Sequence, residues 1–242
     1  IDRRAGKFNT AGEHFRLSNE IAGRAGIAPL ALESGLAYGE CLLRSKQSTK
    51  ATQVLERVVG IARGVREPVR ERTACALLSQ AQADQRNFEA ALKWGERALE
   101  LTRQLKFDKL EAMDLYNVGL FTLMLKKPAE ALEMLKEARG KANLVQDVMF
   151  AKELLYHLGV AAQQAGETDL AVESFNQALA AATQGKDPRK VMGSHRFLGE
   201  LAQAKGDTAK ATEHFEAAMA TAEEANLKEE RRALRKQLDA IG

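Results

Sequence analysis

The sequence is poor in the residues on which disulfide-linked, aromatic-rich and membrane-spanning proteins depend. Only 5% of its 242 residues are aromatic, four are proline and two are cysteine. The cysteines, Cys41 and Cys75, form no CxxC motif, which excludes a disulfide framework and favours a reducing compartment, so we expect a cytoplasmic location. No apolar run approaches the roughly 20 residues that span a bilayer, so we expect no membrane insertion.

An excess of charge of one sign is also missing. The chain has 36 basic and 33 acidic residues, which gives a formal net charge of +3. Helical repeats that bind nucleic acid present a basic face, and this balance gives no reason to expect one, so we expect no nucleic-acid partner. Because aromatics are scarce while alanine and leucine are abundant, the composition favours closely packed helices over sheets.

Motifs for catalysis and metal binding are absent from the sequence as well. It contains no HExxH, no phosphate-binding Walker loop and no GxGxxG after a strand. The four histidines, His14, His157, His195 and His214, are spread along the chain, and we expect no two of them to lie together with metal spacing. Carboxylates are scattered, and nothing marks the water-excluding pocket that acid–base catalysis needs. We therefore expect no enzyme activity, no cofactor and no metal site.

The sequence does contain a repeat of 40 residues. Alanine recurs at this spacing, and a glycine or serine and a second alanine keep the same spacing. A fixed period of this length is typical of stacked supersecondary units. The three series are Ala11, Ala51, Ala91, Ala131, Ala171 and Ala211; Gly39, Ser79, Gly119, Gly159 and Gly199; and Ala98, Ala138, Ala178 and Ala218.

Each repeat has the pattern of two helices joined by a short turn. In the fourth repeat Gly166 suits the left-handed position that closes a helix. Pro68 and Pro188 fall in turns between repeats, where proline stops a helix, and Pro128 opens a second helix. Small residues on both helices predict a close approach of the two backbones. In the fourth repeat the residues at helical spacing are Leu155, Leu158, Gly159 and Ala162, then Ala171, Phe175 and Ala178.

These features resemble the tetratricopeptide repeat. The segment from Gln85 to Leu101 is similar to the second-helix consensus of that family, and the resemblance covers nearly the whole chain. The family's usual unit has about 34 residues, so the 40-residue period looks like the long-helix subtype of kinesin light chains and of the sensor domains of some bacterial transcription activators. The resemblance implies an all-α fold, a right-handed α-α superhelix of about five full repeats with a leading half repeat and a C-terminal capping helix.

The period divides the chain into the parts of one solenoid domain, residues 1–242. A partial repeat, residues 1–31, precedes five full repeats, and residues 232–242 are the end of the capping helix. Because the chain starts at Ile1 and enters the repeat in mid-phase, we expect it to be a piece of a longer protein. The full repeats are 32–71, 72–111, 112–151, 152–191 and 192–231.

In the family, the first helix of each repeat lines a concave face. The third repeat places a second apolar stripe there, and the fourth extends it, with charges at the flanks. An exposed apolar patch rimmed by charge is typical of a partner site, but tight curling of the long helices, with repeats covering each other's stripes, would equally explain it. The predicted groove residues are Met113, Tyr116, Leu120, Met124, Tyr156 and Val160, with Glu153 and Arg196 as charged neighbours.

The resemblance and the stripe together favour a non-enzymatic scaffold or adaptor that binds a peptide or helix of a partner protein in its concave groove. The carboxylate clamp that holds chaperone tails is missing, because the fifth positions of the first helices carry no lysine. The alternative is a regulatory or sensor domain of a larger signalling enzyme or transcription regulator. Self-association through exposed solenoid ends is a further expectation.

Overall fold

The computed structural model describes residues 3–142 and 147–241, and over these ranges the chain is helical without a strand, which confirms the all-α prediction. Within the same ranges no helix combines the length and the apolar character needed to cross a bilayer. The helices are α1 Arg3–Ala25, α2 Ala28–Arg44, α3 Ser48–Gly64, α4 Pro68–Asp84, α5 Phe88–Gln104, α6 Asp108–Met124, α7 Pro128–Lys141, α8 Val148–Gln164, α9 Thr168–Gln184, α10 Pro188–Ala204, α11 Thr208–Glu224 and α12 Lys228–Asp239.

The helices belong to two compact parts of the chain. The first part, Ile1–Lys126, holds α1 to α6, and the second, Lys127–Gly242, holds α7 to α12. In each part every helix packs on the next one along the chain. In addition, α2 contacts α4 in the first part and α8 contacts α10 in the second. Contacts between consecutive helices and between successive first helices are the pattern expected of stacked helix pairs.

The first helices of the repeats begin four residues before the repeat boundaries predicted from the alanine and glycine series. Pro68 and Pro188 were predicted to stop helices, but this prediction is wrong. They are the first residues of α4 and α10, as Pro128 is of α7. A proline at this position loses no hydrogen bond, because the first N–H groups of a helix have no partner within it, and its fixed φ suits the helix.

The described turns between helices share a left-handed residue whose N–H donates to the carbonyl three residues before it. After α2, Lys46 adopts a left-handed conformation with φ 59°, and its N–H donates to the Leu43 carbonyl at 2.9 Å. The next N–H, of Gln47, donates to the Leu42 carbonyl at 2.8 Å, and Gln47 is also the residue that precedes α3. This is the Schellman arrangement. The left-handed residues are Gly26, Lys46, Arg66, Arg86, Lys106, Lys126, Gly166, Lys186, Gly206 and Asn226.

These turns explain the period of the sequence. Helices such as α2 and α3 have 17 residues, and three turn residues complete a step of about 20 that is taken twice in each repeat. Most of the left-handed residues are not glycine, although an L-residue is strained in this conformation. The hydrogen bonds of the turn and the packing of the two helices therefore hold these residues in place.

The glycines of the 40-residue series lie where a second helix inserts a large side chain. A Cβ on Gly159 would lie 2.8 Å from the ring of Phe175, and a Cβ on Gly199 would lie 2.8 Å from the ring of Phe215. Both rings are fully buried. At these two positions the missing side chain of glycine therefore makes room for an aromatic ring of the second helix.

We expect Gly159→Ala to lower the free energy of unfolding by about 1–3 kcal/mol, because the added methyl group would force Phe175 to move. Gly60→Ala is the matched control, since Gly60 is exposed in α3 and a Cβ there has nothing within 4 Å. This control should raise stability by about 0.5–1 kcal/mol through helix propensity. Urea unfolding of both variants measures the difference, and equal effects would contradict the packing role.

We expect Arg86→Gly to raise the free energy of unfolding by about 0.5–1 kcal/mol, because glycine adopts φ 61° without strain. Gly166→Ala, at an equivalent turn with φ 83°, should lower it by about 1 kcal/mol. Urea unfolding measures both. If Arg86→Gly destabilises the chain, as glycine does inside a helix, the left-handed assignment of this turn is wrong.

Candidate functional site

Four of the predicted groove residues lie along one side of α6, in the first compact part. Met113, in the first half of the helix, and Met124, its last residue, are 40% and 44% exposed, whereas Tyr116 and Leu120 between them are partly buried. Other apolar residues of α6, among them Leu115, are buried. The helix is thus apolar on two sides. One side is buried, and the other includes the two exposed methionines.

The other four predicted residues lie on α8 and α10, in the second compact part. The ring of Tyr156 is partly buried and meets Phe175 and Phe197 edge to face, with both centroid distances 5.9 Å. A Cβ on Gly193 would lie only 2.7 Å from the Tyr156 hydroxyl oxygen, so the missing side chain makes room for the phenol. Tyr156 is therefore seated against α10 by ring contacts and by one glycine. Val160, one turn further along α8, is partly buried.

Charged side chains surround the Tyr156 ring. The Lys190 ammonium lies 4.1 Å from the ring centroid and 2.8 Å from a carboxylate oxygen of Glu153. Such a cation over an aromatic face is attracted by the ring electrons. Arg196 forms an ion pair of 2.7 Å with Glu200. The predicted charges, Glu153 and Arg196, are thus held in ion pairs at the edge of the aromatic cluster.

The pKa of the Tyr156 hydroxyl is raised by burial, and the nearby Arg196 opposes this shift only in part. The phenol therefore stays neutral at neutral pH and can both donate and accept a hydrogen bond.

Arg196 also borders a groove of about 480 Å³ between α10 and α12, which Met192, Leu234 and Gln237 help to line. The groove thus combines apolar side chains with charged ones, which include Glu230 and Lys236 as well as Arg196.

A buried lysine fixes α8 against the start of α10. The Lys152 side chain is 2% exposed, and its ammonium lies 2.6 Å from a carboxylate oxygen of Asp187. Asp187 also precedes α10 and accepts the backbone N–H of Lys190 at 3.2 Å. Burial alone would raise the pKa of Asp187, but the hydrogen bonds from Lys152 and Lys190 outweigh burial and lower it.

The prediction that no two histidines lie near each other is wrong. Nδ1 of His195, on α10, lies 3.2 Å from Nδ1 of His214, on α11. The two residues are 19 positions apart in the sequence and lie on different helices. A search for histidines at the spacing of one helical turn therefore could not find the pair. No group of three or more histidine, cysteine or carboxylate side chains suited to a metal occurs in the described part of the chain.

Both cysteines, Cys41 and Cys75, are free and buried. Burial raises the pKa of the Cys75 thiol to about 11. A thiol in this state carries almost no thiolate at neutral pH, which excludes it as an activated nucleophile.

The sequence reasoning missed Lys190, Lys152 and Asp187. Lys190 stands just before a predicted repeat boundary, outside the positions taken to face the groove. Lys152 stands at a position that is apolar in three other repeats and Arg72 in one. Its charge is compensated by Asp187, which lies 35 residues away in the sequence and so could not be found from a local pattern.

The two interpretations of the apolar stripe find support at different residues. The exposure of Met113 and Met124 fits partner binding. The ring contacts of Tyr156 with Phe175 and Phe197 fit internal packing. Tyr156 thus has a packing role whether or not it also binds a partner.

We expect Asp187→Asn to lower the free energy of unfolding by about 2–3 kcal/mol, because it leaves the buried Lys152 charge without its counter-ion while asparagine keeps the cap of α10. Lys152→Met, which removes the charge as well, should cost far less. Urea unfolding compares the variants. Asp207→Asn is the control, since Asp207 caps α11 in the same way but pairs with the exposed Lys210, and it should change little.

The same pair predicts a pH dependence. Because the folded-state pKa of Asp187 lies below its unfolded value, the folded state binds fewer protons. The contribution of the pair is complete above about pH 4 and is lost as the pH falls through the lowered pKa. The stability difference between the wild type and Asp187→Asn should therefore shrink below about pH 4, and a constant difference would contradict the ion pair.

Residues 152–184 match the sequence model of the tetratricopeptide repeat family. No curated protein matches the chain in sequence. Among solved structures, the chain is similar to BtubC (BKLC) from P. vanneervenii, at 19% identity and a TM-score of 0.73, over 93% of this chain and 91% of that one.

Two further structures share the fold. The Rap protein complexed with Competence and Sporulation Factor is 18% identical with a TM-score of 0.64, over 98% of this chain and 71% of that one. YrrB, described as a TPR protein with an unusual peptide-binding site, is 17% identical with a TM-score of 0.59, over 78% and 84%. The chain therefore matches a tetratricopeptide repeat in sequence at residues 152–184, and it shares its fold with these solved structures over most of its length.

Proposed function

We propose that the chain is a non-enzymatic scaffold or adaptor that binds a peptide or helix of a partner protein. The proposal assigns binding residues to each compact part separately. In the first part they are the α6 residues Met113, Tyr116, Leu120 and Met124. In the second part they are Glu153, Tyr156, Val160 and Arg196, together with Lys190.

The exposure of Met113 and Met124 is the observation that carries this proposal. Each leaves about two fifths of its surface in water on a helix whose other apolar side is buried. Methionine is flexible and polarisable, so it adapts to partner surfaces of different shape. A peptide that covers both side chains removes apolar surface from water, which favours binding by about 25 cal/mol per Å² before the entropic cost of association.

The second part supports the proposal because the aromatic ring of Tyr156 lies next to side chains of both charges. The half-buried Tyr156 is held rigidly, so a partner that contacts it orders no flexible side chain. Arg196 and Lys190 next to Glu153 and Glu200 offer both signs of charge, which would choose the direction of a bound segment. The groove beside Arg196 is large enough for one or two side chains of a peptide.

The fold relatives favour the same class of function. YrrB is described as having a peptide-binding site, and Rap was found in complex with Competence and Sporulation Factor. The Rap complex also favours the second candidate, a regulatory or sensor domain of a larger signalling enzyme or transcription regulator. In that case the segment bound by these faces would belong to the regulated domain or to a signalling peptide.

We expect peptides selected from a random library against the immobilised chain to bind through the α6 stripe. Met124→Ser should weaken a selected peptide by about 1–2 kcal/mol, or about tenfold in Kd, because methionine loses its buried contact with the peptide. Fluorescence polarisation of the labelled peptide measures this, in a concentration range where sedimentation shows a monomer.

Met149→Ser is the matched control, because Met149 is the same residue type, is 58% exposed, and lies outside the proposed stripe. It should leave the Kd unchanged. Tyr156→Ala is less informative, since the loss of ring contacts would also destabilise the fold. Equal Kd values for the wild type, Met113→Ser and Met124→Ser would rule out the α6 stripe as the binding surface.

A further inference from the structure

The contact between His195 and His214 occurs at a position that other helix pairs fill differently. His195 is the fourth residue of its predicted repeat and His214 the twenty-third. The same two positions hold Cys75 and Trp94 in the second repeat, and Leu155 with Ser174 in the fourth. Only the last pair places a titratable, metal-ligating side chain on both helices. Packing alone does not require this, because the other repeats pack without it.

The two Nδ1 atoms are separated by about the distance that two ligands of one metal ion require. The Nδ1 atoms lie 3.2 Å apart, and the ring planes are tilted by 42°. Nitrogen–zinc bonds of about 2.0–2.1 Å at a tetrahedral angle place two nitrogens about 3.3 Å apart. The χ2 torsion of histidine is broad, so a small rotation of each ring lets both lone pairs converge on one ion. The helices themselves need not move.

We propose that His195 and His214 form a binding site for a divalent late transition-metal ion, with Nδ1 of each imidazole as a ligand and water in the remaining positions. Imidazole nitrogen suits Zn²⁺, Ni²⁺ and Cu²⁺, and Cu²⁺ binds most tightly in this series. Both side chains are partly exposed, so an ion reaches them from solvent.

The protonation state of His195 suits this role. In the metal-free pair one Nδ1 donates its proton to the other, and the ion replaces that shared proton once the donor ring carries its proton on Nε2 instead. Burial, followed by the neighbouring His214, lowers the pKa of His195, so this ring is neutral at neutral pH. A neutral ring is the form that binds metal.

The expected site is open and of moderate affinity. No third histidine, cysteine or carboxylate joins the two rings into a larger ligand group within the described residues. An ion held there would link α10 to α11 and would stabilise this helix pair by mass action. Hard cations such as Mg²⁺ prefer oxygen ligands and should not bind to the pair.

The test uses the chain with any affinity tag removed, since polyhistidine binds the same ions. Isothermal titration with Cu²⁺ and Zn²⁺ should give one site per chain, and Cu²⁺ electron paramagnetic resonance should show two nitrogen ligands. His195→Gln and His214→Gln should each weaken binding about tenfold or more. Mg²⁺ should give no heat and no shift of the unfolding temperature, whereas Zn²⁺ should raise it.

His14→Gln is the matched control, because His14 is exposed and distant in the sequence, and this variant should bind as the wild type does. A double variant, His195→Leu/His214→Ser, copies Leu155 and Ser174 of the fourth repeat and should keep the helical circular dichroism while losing the site. If the ions bind equally to this double variant, or if the wild type shows no saturable binding of Cu²⁺ or Zn²⁺, the proposal is wrong.

Discussion

The left-handed residue that closes each described turn is the constraint on which the rest of the structure depends. It ends one helix through a backbone hydrogen bond to the carbonyl three residues before it, and the residue after it directly precedes the next helix. Every step along the chain therefore has nearly the same length, and residues 40 positions apart occupy equivalent environments. This equivalence allows Gly159 and Gly199 to admit Phe175 and Phe215 in the same way. Without a fixed step, the small and large residues of successive helices would lose register.

The fold was predictable because its determinants are local and periodic. The alanine and glycine series reports which residues pack between helices, and Gly166 marks its turn by its own conformational freedom. The turns at Lys46 and Arg86 were not predictable from residue type, because lysine and arginine have no preference for a positive φ. They are recognised only from their regular spacing. The role of Pro68 was also assigned wrongly, because this residue was placed where a helix stops and is in fact the first residue of α4.

The candidate site was predictable only in part. Counting positions along α6 identified Met113 and Met124, because helical phase is a local property. The position of Lys190 over Tyr156 depends on how α10 lies against α8, which no local pattern encodes. The pairing of His195 with His214 depends in the same way on two helices that meet across a turn. Contacts between side chains of different helices are therefore the part of the site that could not be predicted from the sequence.

Buried charges give the helix stack a second kind of specificity in each part. In the first part, Glu71 accepts hydrogen bonds from Arg63 at 2.8 Å and Arg97 at 3.0 Å, and thereby joins α3, α4 and α5. In the second part, Lys152 and Asp187 join α8 to the start of α10. Packing between alanine and leucine surfaces tolerates small shifts along a helix, whereas a buried ion pair is satisfied in only one alignment. We infer that these pairs contribute more to register than to net stability, since desolvation offsets much of their attraction.

In the second part, neighbouring residues of α10 take part in both the proposed partner site and the proposed metal site. Gly193 accommodates the Tyr156 hydroxyl, His195 meets α11, and Arg196 borders the groove toward α12. Neighbouring residues on a helix point about 100° apart, so one short segment serves three contacts. An ion bound at His195 would restrain the rotation of α10 and with it the position of Arg196. Any coupling between metal and partner binding must then be reciprocal, because each would favour the same orientation of this helix.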